Sequence, residues 1–344
     1  MRRLGLGAVF SAAMTALVVA QPGASTLDKL SYLDPKTGRV VNVEGSLRES
    51  PAGVVVTING KERSRHTANE IVRIEYGDLT GLTPDDRAAL FALDNERDAD
   101  KQARGFAGLT KKATSERVKR GFEWREIQAL AKAADSRDET GFKTAAQSLA
   151  PRAVSFSKAM AKSWETVPAA KLAARLYSDL DEADRAAEVL ANASKTAELG
   201  PEQRAELKLA AADALLRGKS PAAGEAAVAA LMKDKDIPAT GPLRERLTMT
   251  DLRTKPDGLA KLPGAIDAAR DPAARAVGFN ARGELFLAAK KPREAMWEFL
   301  NVEVVYNQDV EETAKAVRRL IQLFEQFGER DRADQYREKL RKLR

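Results

Sequence analysis

The chain has 344 residues, 57 lysines and arginines against 50 aspartates and glutamates, no cysteine and a single histidine. The missing cysteines exclude disulfides, thiolate metal sites and cysteine nucleophiles, and one histidine cannot build a multi-histidine metal site. The formal charge of +7 favours anionic partners, but acids and bases are interleaved, as on a solvated helical surface.

Arg2 and Arg3 open the chain, and an uncharged apolar run follows from Leu4 to Ala20. A basic start, an apolar centre and small residues at Val18, Ala20 and Ala24 describe a secretory signal peptide over residues 1–24. Cleavage is expected before Gln21 or Ser25. The body is then exported, to the periplasm or the cell envelope. The alternative is a retained anchor, and the run is slightly short for a span.

A small β unit is expected over residues 27–79. Period-two patterning starts near Gly38: "RVVNVEGSLRES" reads as two strands with a bend at Gly45. "GVVVTING" is a β-branched strand ending in Asn59-Gly60, a strong hairpin signal. "KERSR" is the returning strand, "TANE" a short turn, and "IVRIEY" a last strand. This order of strand, hairpin, short turn and last strand resembles small SH3-like or Sm-like barrels. His66 falls beside the turn, with no second histidine or carboxylate pair near it in sequence. It is read as a half-exposed residue without a chemical role.

After Asp78 the period becomes helical. Thr83 is the expected N-cap of the first helix, followed by Pro84 and by Asp85 and Asp86 in its first turn. Amphipathic helices continue to Arg344, broken at Gly121, Gly141, Pro151, Pro168, Gly200-Pro201, Gly218 and Gly328. The fold class is therefore mainly α: helical hairpins preceded by a small curled sheet or barrel. One helical block is expected over 83–233, a looser Pro/Gly-rich connection over 234–272, and a second block over 273–344.

Within the second block, Phe279, Gly283, Phe286, Ala295 and Phe299 have a recurrent spacing. Ala174, Tyr177, Ala186, Leu190 and Ala193 repeat it upstream, and Leu320, Phe324, Ala333 and Tyr336 repeat it near the end. These segments resemble tetratricopeptide repeats, a ~34-residue helical-hairpin motif, over about half the chain. The family's usual proline after the second helix is Asn307 here. The resemblance implies that Gly283 and Ala295 let paired helices approach, that Phe286 and Phe299 fill the groove beside them, and that Phe279 packs on the next pair. It also implies a concave partner-binding surface. Its expected positions are Lys171, Arg175, Asn280, Glu284, Leu287, Arg318 and Gln322.

Other motifs fall short. "RGKS" at 217–220 lacks the first glycine of a phosphate loop, which Asp213 replaces. "DKDIPATG" lacks the rest of a calcium-loop ligand series. The basic stretches at 101–120 and at the C-terminus are read as polar helix faces, with peripheral contact to an anionic envelope surface left open and no nucleic-acid partner expected. No cofactor or catalytic constellation is expected. The functional expectation is an exported protein-binding scaffold or adaptor that takes a protein or peptide. The alternative is a structural envelope component assembling through its β unit.

Overall fold

The computed structural model describes residues 27–343. The expected signal segment lies outside these residues. Five antiparallel strands come first: β1 (Asp28–Leu33), β2 (Val40–Ser50), β3 (Gly53–Ile58), β4 (Lys61–Thr67) and β5 (Ile71–Glu75), in the order β4-β3-β2-β1-β5. The sequence pattern missed β1. It also divided β2 at Gly45, which in fact lies inside one long strand. There β2 passes from pairing with β1 to pairing with β3. A Cβ on Gly45 would stand 2.8 Å from the Thr57 carbonyl oxygen, so the close crossing requires glycine. Asn59 and Gly60 both adopt positive φ at the β3–β4 turn, as a tight hairpin demands.

Fourteen helices follow: α1 (Pro84–Asp94), α2 (Ala99–Lys112), α3 (Glu116–Asp135), α4 (Glu139–Ala159), α5 (Thr166–Asp179), α6 (Ala183–Ala193) and α7 (Pro201–Arg217), then α8 (Pro221–Met232), α9 (Pro242–Arg253), α10 (Gly258–Ala268), α11 (Pro272–Ala288), α12 (Pro292–Val304), α13 (Val310–Gln326) and α14 (Arg330–Leu343). Proline opens six of them at the first helical position, where its missing N–H costs nothing. Thr83 caps α1 in a reciprocal box: its hydroxyl accepts from the Asp86 N–H, and Asp86 accepts from the Thr83 N–H at 3.1 Å.

Consecutive helices pack as antiparallel hairpins, giving a repeat-like array. The α5–α6, α11–α12 and α13–α14 hairpins turn in the same way. The second residue after each first helix takes positive φ: Asp181, Lys290 and Gly328. The next N–H then reaches back to an aromatic residue's carbonyl: Glu182 to Tyr177 at 2.8 Å, Lys291 to Phe286 at 2.9 Å and Glu329 to Phe324 at 2.8 Å. Nine residues beyond each aromatic position stands a fully buried alanine: Ala186, Ala295 and Ala333.

Three expectations need correction. Gly121 and Pro151 do not break helices; they lie inside α3 and α4. The 234–272 stretch is not a loose connection. It holds α9 and α10, whose Leu247, Leu262 and Ile266 are buried. The sheet has no core of its own either. Leu30, Val54, Val56 and Ile74 join Phe106, Phe122 and Ile127 in one apolar cluster that continues to α7.

Candidate partner-binding groove on the inner face

The sheet is bound to α3 by ion pairs as well as by apolar contact. The Arg117 guanidinium donates to Asp28 Oδ2 at 2.7 Å and to Glu49 Oε1 at 2.6 Å. Arg120 donates to Tyr76 Oη at 3.0 Å and to Glu165 Oε1 at 3.2 Å, and also pairs with Glu49. Within the basic stretch at 101–120, Arg117 and Arg120 are spent on this junction, while Lys112 pairs with Asp86 of α1. Burial alone would lower Arg120, but Glu165, Tyr76 and Glu49 together hold it above its ordinary value. Burial pushes the Glu165 carboxyl upward against the pull of Arg120. Burial, reinforced by nearby Arg73, pushes Arg125 down to about 10.

His66 is not at a half-exposed turn. It is buried on β4, its ring 3.7 Å from that of Tyr32 between centroids, with Nε2 2.8 Å from Ser64 Oγ and Nδ1 3.6 Å from Glu70. Burial lowers its pKa. Sequence alone gave no sign of Tyr32, because β1 was not recognised.

α3 and α5, first helices of successive hairpins, line a cavity with α14. On α3, Trp124, Gln128, Ala131 and Asp135 follow helical spacing along one face. On α5, Pro168, Leu172 and Arg175 do the same. All of them line the larger of two cavities, and Trp124 and Gln128 also line the smaller. The first, about 330 Å³, lies at the seam with the sheet, against Trp124, Gln128, Trp164 and Glu165. The second, about 620 Å³, runs from Trp124 and Gln128 past Asp135 and Arg175 to Arg341 and Lys342 of α14. Trp124 and Gln128 border both. The sheet borders the smaller cavity and the last hairpin borders the larger, which is the candidate groove.

The last hairpin is held across the array by charge. Arg318 of α13 pairs with Asp179 of α5. Lys315 donates to Asp213 of α7 at 2.8 Å, and Arg253 of α9 reaches the same carboxylate at 3.1 Å. Arg341 donates to the Ser136 carbonyl at 3.4 Å. Three cations, Lys315, Arg217 and Arg253, hold Asp213 below the ordinary carboxylate range despite its burial.

The positions expected from the repeat resemblance are mostly engaged within the fold. Lys171 donates to Asn69 of the sheet unit at 3.0 Å, and Arg175 is bidentate to Asp135 at 3.0 and 3.1 Å. Asn280 is buried and donates to Glu312 Oε2 at 2.7 Å. Glu284 accepts from Arg319 at 2.6 and 3.0 Å, and Gln322 from the same guanidinium at 2.8 Å. Leu287 packs into the apolar cluster of α11–α14. Of these seven, Arg175 borders the groove. Trp124, Gln128, Trp164 and Glu165 were missed. No local signal singled them out: all three tryptophans in the chain have an acid as a sequence neighbour.

The repeat-packing residues are placed as follows. Gly283 lies beneath Phe299, where a Cβ would be 2.6 Å from Cζ. Ala295 and Phe299 are buried, Phe286 packs against the same cluster, and Phe279 stacks on Tyr306 at 5.2 Å.

Among the described residues, no helix is long and apolar enough to cross a membrane, and no group of three or more potential ligands is arranged to hold a metal. No family model matches the chain, and no curated protein matches it. A solved structure titled "Computational Design of Self-Assembling Cyclic Protein Homooligomers" is similar over 77% of this chain and 90% of its own, at 17% identity and a TM-score of 0.14. A score that low carries no argument.

Proposed function

We propose that the protein is an exported scaffold or adaptor with tetratricopeptide-like hairpins, and that its inner-face groove takes a protein or peptide. The observation that supports this reading is the pair of neighbouring cavities whose linings share Trp124 and Gln128. An open trough floored by helices suits an extended segment better than a small metabolite. Its outer part is lined by four cations, of which Arg175 is paired with Asp135 and Arg341 with Glu338, and it also carries Lys132 and Lys342. The matching partner surface is acidic.

The test is capture of partners from envelope extract by the mature protein and by a Lys132→Glu/Lys342→Glu variant. Both residues are exposed, so the fold is spared. Partners lost on charge reversal, and lost in high salt, support the reading. Capture unchanged by reversal moves the binding surface elsewhere.

A second reading has its own observation. Leu33, Val40 and Val72 are 43–56% exposed on the sheet, and β4 and β5 form its edges. A structural role through sheet-to-sheet association would show as concentration-dependent oligomers that dissociate on Val40→Lys/Val72→Lys substitution.

A further inference from the structure

A third cavity, about 600 Å³, lies between α4, α5 and α6. It shares no lining residue with the groove or with the seam cavity, and its volume is that of a small-ligand pocket. Pro151 and Val154 of α4, Ala161 in the turn that follows, and Val189 and Ala193 of α6 give it apolar walls. Lys158, Arg185 and Lys195 also line it, against the one carboxylate of Glu188. Arg185 is already held by Glu182 at 2.8 Å. Lys195 reaches the Asn192 side-chain oxygen at 3.4 Å, and neither Lys158 nor Lys195 pairs with a carboxylate among the described residues. Tyr177 lines the cavity from α5. Its hydroxyl makes no hydrogen bond within the described residues, and unlike the Trp124 and Trp164 indole nitrogens it is not sealed from solvent. The walls therefore call for hydrocarbon, and two ammonium groups and a neutral donor call for an anionic oxygen. A small hydrophilic anion would leave the apolar walls uncovered, and a cation would face the lysines.

We propose that this cavity is a binding site for a fatty carboxylate, with its alkyl chain against Val154, Val189 and Ala193 and its head group meeting Lys158, Lys195 and the Tyr177 hydroxyl. The site is separate from the groove and does not depend on the scaffold reading.

The experiment titrates decanoate into the full chain by calorimetry, below the concentration at which the ligand forms micelles. Saturable binding is expected, tightening ~3- to 4-fold for each methylene added from hexanoate through octanoate to decanoate. Decylammonium, with the same chain and the opposite charge, should not bind, and salt should weaken decanoate. Lys158→Glu/Lys195→Glu, at exposed positions, should weaken decanoate ~10-fold or more. Tyr177→Phe removes only the hydroxyl and should weaken it ~3- to 10-fold. Ala161→Trp, at an exposed turn position, should fill the cavity and abolish binding. Lys132→Glu/Lys342→Glu, which alters the groove, should change nothing. No saturable binding of decanoate, equal binding of decylammonium, or an affinity indifferent to chain length overturns the proposal. Binding unchanged in the charge-reversed and Ala161→Trp proteins places the ligand elsewhere and overturns it too. So does unchanged binding in a folded Tyr177→Phe protein; if that variant unfolds, the two surface variants decide alone. Partner capture from extract reads the scaffold independently of all these outcomes.

Discussion

Lys315 of α13 donates to Asp213 of α7 at 2.8 Å, across 102 residues of chain. Arg217 and Arg253 reach the same carboxylate at 3.2 and 3.1 Å. The last hairpin is thus fastened to the middle of the array by one acid shared among three bases. Removing the acid leaves three poorly solvated cations facing one another. Asp213→Ala is expected to cost about 3 kcal/mol or more, read as a lower midpoint in urea unfolding. The carboxyl is held below its unfolded value, so its contribution is present above the ordinary carboxylate range and is lost as pH falls through the folded pKa. The difference between wild type and Asp213→Ala should therefore shrink in strong acid. A difference that is constant down to pH ~2 would contradict this account.

Gly121 sets how closely α3 meets the sheet. A Cβ at this position would lie 2.6 Å from Tyr76 Cε2. Tyr76 in turn receives Arg120 and lies under Arg117, whose guanidinium carbon is 4.5 Å from the ring centroid. The glycine marks close contact between helix and sheet, not the end of a helix. Gly121→Ala should cost about 1–3 kcal/mol by overpacking, although alanine favours a helix more than glycine does. The loss should appear in a single transition followed by both sheet and helix signals. A sheet that melts first, with the helices unchanged, would show two independent units.

The helical part was legible because its signals are local. Caps such as Thr83, prolines at first helical positions and the aromatic–small–aromatic spacing around Gly283 all act within a turn or two of where they are written. The last two strands and the Asn59-Gly60 hairpin were legible for the same reason. Contacts distant in sequence were not. Nothing near Gly121 announces Tyr76, and nothing near Arg117 announces Asp28 or Glu49. The groove was hidden for a related reason: its lining joins α3 and α5 to Arg341 and Lys342 of α14, some two hundred residues away in sequence. The repeat resemblance directed attention to first-helix positions in general, but most of these are taken up by ion pairs between helices.

His66 tests the corrected placement of that ring. Its side chain is buried against Tyr32, and burial lowers its pKa below the ordinary 6.5. The folded state favours the neutral ring, so stability is present above the unfolded pKa and is lost as pH falls through the folded one. Wild type should lose stability as pH drops below about 6.5, and His66→Phe should lose less over the same interval. His66→Ala, which leaves a gap beside Tyr32, should destabilise by about 1–3 kcal/mol at pH 7.5. Melting curves at several pH values decide the matter, and an indifferent His66→Ala would return the residue to the surface.

Export is tested at the N-terminus. The Arg2-Arg3 start and the apolar run to Ala20 predict that protein isolated from its native cell envelope begins at Gln21 or Ser25. N-terminal sequencing reads this directly. Full-length protein retaining Met1 in a cytoplasmic fraction would remove the export proposal, and the envelope partner search with it.

The repeat packing can be tested at two neighbouring positions that make the same contact. Gly283 sits under the Phe299 ring, and Ala295 is fully buried one turn before Phe299 on the facing helix. A methyl group at Gly283 must displace an aromatic ring that is itself enclosed by Val302, Leu320 and Phe324. Gly283→Ala should cost about 1–3 kcal/mol, and Ala295→Trp at least as much, because the interior has no space to accept added volume. The compensating change is informative. Phe299→Leu alone should cost about 1–2 kcal/mol through lost burial. Combined with Gly283→Ala it should cost less than the sum, since the smaller side chain makes room for the methyl. A double-mutant cycle in urea measures that coupling. Strict additivity, or a tolerated Ala295→Trp, would mean that α11 and α12 do not meet through this contact and that the shared spacing of the three hairpins has another cause.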